Sequence, residues 1–132
     1  MPKDLHPNDP ANGVAEKILD SAFKIHRQYG AGLLENAYEH LLAYELVQNQ
    51  NLKVETQKTL PLIHEGTKID AGYRLDMLVD DKVIVEIKSV QKVLPVHEAQ
   101  LLTYLKLTDI RLGLLLNFNT QLLKDGIKRF IL

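Results

Sequence analysis

Cysteine is absent from this 132-residue chain, which excludes disulfides and a thiolate zinc site as braces of the fold. There is no apolar run of about 18 residues, so no segment reads as a membrane span. The N-terminal "MPKDLHPNDPANG" lacks the apolar centre of a secretory signal, and a cytoplasmic location is the simplest expectation. A basic surplus is missing too: 16 Lys and Arg stand against 17 Asp and Glu, a formal net charge of −1. Proteins that grip nucleic acid regardless of sequence usually carry that surplus, because their affinity comes from neutralising phosphates. Any polyanion handled here needs a local basic patch, a bound metal or a partner. What is present is an ordinary globular composition, 45% hydrophobic and 25% charged, on a chain long enough for one domain with a real core.

The pattern along the chain predicts an α/β protein in the order α-α-β-β-β-α-β, with helices on both faces of the sheet. Residues 1–13, rich in Pro and Asn, read as a flexible N-terminal arm, and residues 14–132 as a single domain. A helix begins near Val14, with Ala15, Ile18, Leu19, Ala22, Phe23, His26 and Tyr29 on one face. "GAG" at 30–32 ends it. A second helix spans roughly 33–49, with Leu34, Ala37, Tyr38, Leu41, Leu42 and Leu46 facing inward. Strands are expected over 52–63, 68–79 and 83–90, a third helix opened by Pro95 over 96–107, and a buried strand over 111–118. The tail from 122 reads as a short turn or helix and a last strand.

The stretch "LDMLVDDKVIVEIKSV", 75–90, places three charges among aliphatic neighbours. By strand alternation Glu86 and Lys88 share a face, and Asp76 shares one with Leu78, opposite Leu75 and Met77. A two-residue loop at Asp80-Asp81 would put Asp76 across from Val85. A three-residue loop, or a one-residue bulge, would bring it to Glu86. Two carboxylates about 4 Å apart repel by roughly 4 kcal/mol at an effective dielectric near 20. Lys88 offsets part of that repulsion, whereas a divalent cation offsets all of it, and hard carboxylate oxygens suit magnesium or manganese. The plainer alternative is an exposed ion pair worth under about 1 kcal/mol.

Asp76 followed by "VIVEIKS" resembles the D…(E/D)xK signature of the PD-(D/E)XK nuclease superfamily, and "GLLENAY", 32–38, resembles the GxxExxY motif of a bacterial subfamily. "IHRQYGAGLLENAYE", "GYRLDMLVDDKVIVEIKSV", "LPVHEAQLLTYLKL" and "RLGLLLNFN" read like that subfamily in the same order. The superfamily's proline is replaced by Leu75. The resemblance implies a restriction-endonuclease-like core with a central mixed sheet, and a nuclease dependent on Mg2+ or Mn2+. It makes Asp76 and Glu86 metal ligands, with the Ile87 carbonyl as a third contact. Lys88 would orient or help deprotonate the attacking water and stabilise transition-state charge. Glu35 becomes a further catalytic or metal ligand, although a solvated glutamate in a first helical turn is the plainer reading. Gln100 and Tyr104, four apart on one helix face, resemble a QxxxY element that lines the substrate groove. Tyr38 and His97 are the remaining substrate-contact candidates, against a core tyrosine and a helix cap. His26 reads as a hydrogen-bonded structural histidine. Arg27, Lys53 and Arg74 are usable phosphate contacts only if they border one cleft. The implied partners are nucleic acid, DNA ahead of RNA, and a second copy or another protein. The rival class is a catalytically weak module that binds nucleic acid or regulates a partner.

Overall fold

The computed structural model describes residues 4–132. Its elements are α1 (Pro10–Tyr29), α2 (Glu35–Gln48), β1 (Val54–His64), β2 (Thr67–Val79), β3 (Val83–Lys88), α3 (Pro95–Thr108), β4 (Leu112–Asn117), a 3-10 turn (Leu123–Gly126) and β5 (Ile127–Ile131). Residues 1–3 of the expected arm lie outside the described residues, and 10–13 of it are helical. The Asp9 carboxylate accepts the Ala11 N–H at 2.9 Å, and Pro10 supplies a first-turn residue with no amide to satisfy. Leu5 is buried, and Asp4 pairs with Arg129 of β5 at 2.9 Å. The first helix therefore begins four residues before Val14.

The five strands lie in sequence order. The β1–β2, β2–β3 and β4–β5 pairs are antiparallel, while β3 and β4 run parallel across the α3 crossover, so the sheet is mixed. Strand alternation sorts the side chains into two layers. Val83, Val85 and Ile87 of β3 and Leu112, Leu114 and Leu116 of β4 pack with α1 and α2. Ile84 and Leu115 face the opposite way, onto Leu101, Tyr104 and Leu105 of α3. Both faces of β3 and β4 are thus covered, which is why these strands are apolar at almost every position. Each fully buried leucine contributes about 1.5–3 kcal/mol of burial free energy.

Two details correct the expected faces. Ile25 belongs to the buried face of α1, whereas Tyr29 is 45% exposed. On α2, Tyr38, Leu42 and Leu46 are buried, but Leu34 precedes the helix and is 76% exposed. Gly30 ends α1 with a φ of 70°, a value that glycine adopts without a Cβ penalty.

Candidate active site

Everything that matters about the β2–β3 hairpin follows from its loop. Val79 pairs with Val83, so three residues, Asp80, Asp81 and Lys82, make the turn. Asp80 and Asp81 are both left-handed, at φ 54° and 55°, a conformation aspartate tolerates better than most residues. The Lys82 N–H closes the turn on the Val79 carbonyl at 3.0 Å. Regular pairing then runs through Leu78↔Ile84 to Met77↔Val85, and the next residues in register are Asp76 and Glu86.

There the main-chain ladder gives way to side chains. The Asp76 N–H donates to Glu86 Oε1 at 3.2 Å, and the Ile87 N–H donates to Asp76 Oδ2 at 2.9 Å. Each carboxylate occupies the place of a carbonyl on the other strand, leaving Asp76 Oδ1 and Glu86 Oε2 outside these two bonds. Residues of a strand direct N–H and C=O to the same side, so the Ile87 carbonyl also faces this gap; the neighbouring Lys88 carbonyl turns the other way, to the Phe118 N–H at 2.9 Å. Alternation on β2 fails at the same place. Met77 packs with the α1–α2 layer while Leu75 joins Leu78 in the α3 layer, instead of sharing Met77's face as the sequence pattern predicts.

Glu86 is 4% exposed. Burial, reinforced by the Asp76 charge, pushes its carboxyl up to about 9; the Lys88 ammonium pulls it down, as the weakest of these influences. The Tyr104 hydroxyl is pushed up to about 12, first by burial and then by the charges of Glu86 and Asp76, which puts α3 against the same gap. Two carboxylates and a carbonyl form a hard oxygen donor set, and their mutual repulsion is what a divalent cation relieves. Among the described residues no three of His, Cys, Asp or Glu converge into a ready cage. A magnesium-like ion needs only one or two protein carboxylates, with water completing its shell, so the donor set fits.

The sequence profile of the PD-(D/E)XK nuclease superfamily matches residues 12–130. The chain belongs to the PD-(D/E)XK nuclease superfamily. No curated protein and no solved structure matches it. Members of the superfamily are generally phosphodiesterase nucleases, so membership supports a nuclease-type function, and the mixed sheet with helices on both faces agrees with a restriction-endonuclease-like core.

The remaining candidates divide in two. Gln100 lines a groove with Tyr73, Val96, Ala99 and Thr103, one helical turn from Tyr104. The Tyr73 and Tyr104 rings meet edge to face at 6.1 Å, so β2 and α3 meet beside the Asp76–Glu86 gap. Tyr38 does not face it. That side chain is wholly buried, stacks on Phe118 at 4.3 Å, donates its hydroxyl to the Gly30 carbonyl and accepts the Leu33 N–H at 3.2 Å. Its role is to pin the 30–33 loop. His97 caps α3, its Nδ1 accepting the Leu94 N–H at 3.0 Å. His26 Nε2 bonds the Thr120 carbonyl at 2.9 Å, tying α1 to the loop after β4. Arg27 lines a separate groove with His26 and Lys124, and Lys53 pairs with Asp81 at 3.2 Å at the far end of the hairpin.

Glu35 is exposed in the first turn of α2 and outside any three-ligand group. One turn later, Glu39 is the residue that sequence reasoning missed. It is only half-buried, yet burial and then the charges of Asp76 and Glu35 push its carboxyl up, against a hydrogen bond from Gln57 that lowers it. The signal was available: Glu35 and Glu39 are four apart and share a helix face.

Proposed function

We propose that this domain hydrolyses phosphodiester bonds in nucleic acid, DNA ahead of RNA, with Mg2+ or Mn2+ held by Asp76, Glu86 and the Ile87 carbonyl. The observation that carries the reading is the exchange of backbone bonds at Asp76 and Glu86: it fixes two carboxylates in a partly buried gap that repulsion would otherwise open. When bound, the ion supplies Lewis acidity and lowers the pKa of coordinated water. Lys88, two residues beyond Glu86 on the same strand face, donates to the attacking water and to the phosphoryl oxygens as negative charge grows on them. The water oxygen bonds to phosphorus and releases one proton to solvent, the bond to the leaving nucleoside oxygen breaks, and that oxygen takes up a proton from solvent. Tyr104 and Gln100 border the path of the strand along α3. "GLLENAY" supports placement in the GxxExxY subfamily, and the near-neutral net charge supports reliance on a second copy or a partner protein for grip.

The test is cleavage of single- and double-stranded DNA and RNA with Mg2+ or Mn2+, alongside Asp76→Ala and Lys88→Ala. Each variant is expected to lose about 100-fold or more. Binding without cleavage by the wild type under every condition, or cleavage that survives Asp76→Ala, overturns the reading in favour of a binding module.

A further inference from the structure

Among the described residues, six other than glycine have a positive φ: Asn51, Gln57, Glu65, Asp80, Asp81 and Asp109. Five of them lie at turns or helix ends. Gln57, at φ 51°, lies inside β1, where nothing in the chain direction requires a left-handed residue. A side chain in that conformation carries strain, and strain that persists in a fold is retained by what surrounds it.

The register says where the strain falls. Thr56 pairs with Met77 and Lys58 with Leu75, so Gln57 is opposite Asp76. The Asp76 N–H points the other way, to Glu86, so this is a pair without main-chain hydrogen bonds between its members. The left-handed kink therefore breaks no ladder bond. The Gln57 side chain leaves the sheet and donates its amide N–H to Glu39 Oε1 of α2 at 2.8 Å. Glu39 is near enough for the Asp76 charge to act on it.

We propose that Gln57 is a positioning residue: its left-handed backbone and amide hold the Glu39 carboxylate toward Asp76, so that Glu39 adds negative field and an outer hydrogen-bond acceptor to the cation site. This rests on the metal-dependent reading above. An exposed glutamine at the sheet edge with an extended backbone would leave Glu39 free to swing into solvent, which its repulsion from Asp76 favours. Groups that orient the surroundings of a metal site are typically worth about 10- to 100-fold in affinity.

Manganese binding, read by calorimetry, tests this without reference to turnover. Gln57→Gly, which relieves the strain and deletes the amide, should bind manganese about tenfold more weakly while its thermal midpoint holds or rises. Glu39→Gln should weaken binding as much, and the double variant should lose no more than Glu39→Gln alone, because Gln57 acts through Glu39. Gln57→Met, which keeps the bulk without the amide, replaces the glycine variant if that protein does not fold. Affinity unchanged within about twofold in Gln57→Gly or Gln57→Met, or losses that multiply in the double variant, overturns the positioning role while leaving the Asp76–Glu86 site intact. Wild-type protein that binds no manganese overturns that site, and this inference with it.

Discussion

Adding a divalent cation at pH 7 should expel about one proton from the protein. Glu86 is pushed up to about 9, chiefly by burial, so two pH units lower the group is all but fully protonated. A carboxylate must be deprotonated to ligate an ion, so binding carries that proton into the buffer. The same linkage makes apparent affinity rise about tenfold per pH unit, or 1.36 kcal/mol, between about pH 5 and pH 9. The assay is manganese calorimetry in buffers matched for pH and ionic strength but differing in ionisation enthalpy. The slope of observed against buffer enthalpy counts protons: about one for wild type, and near zero for Glu86→Gln. A slope near zero in the wild type, or one that survives Glu86→Gln, would refute the claim that this buried carboxyl meets the ion.

The metal-free protein should lose stability as pH rises. Below 4.5 folded and unfolded chains both hold the Glu86 proton; between 4.5 and about 9 the unfolded chain releases it and the folded chain keeps it, so stability falls across that window, with a ceiling of about 6 kcal/mol. Urea midpoints at pH 5.5 and 8.5 should show the decline in wild type and much less of it in Glu86→Gln. A Cβ on Gly126 would lie 2.1 Å from the Asn117 carbonyl oxygen, so Gly126→Ala should destabilise by about 1–3 kcal/mol or more in urea unfolding. Tyr38→Phe keeps the stack on Phe118 but strands the Leu33 N–H and Gly30 carbonyl; a loss of about 1–3 kcal/mol is expected, and an unchanged unfolding midpoint would contradict the loop-pinning role.

The order of elements was legible because period and punctuation agreed: glycine ended α1, Pro95 opened α3, and the unbroken apolar runs of β3 and β4 announced strands buried on both faces. The alignment of Asp76 with Glu86 was legible conditionally, since side-chain parity made a three-residue turn the requirement, and Asp80, Asp81 and Lys82 supply it. The arm was drawn too long because composition around Pro10 reads as loop, whereas Asp9 and Pro10 together read as a helix start once the cap is seen. Tyr38 shows a different limit. Motif spacing groups it with Glu35, but at about 100° per residue Tyr38 lies roughly 60° to one side of Glu35 and Glu39 roughly 40° to the other, and Tyr38's side is the one that faces the core. Gln57 left no trace at all, because glutamine has no left-handed preference for a pattern to register. The strain there arises only when a sheet-edge residue opposite Asp76 must also reach α2, a condition set jointly by the β1–β2 register and the helix above it. Local patterns therefore reveal the candidate ligands, which carry their own chemistry, while the residues proposed to aim them come into view only once the strands are paired.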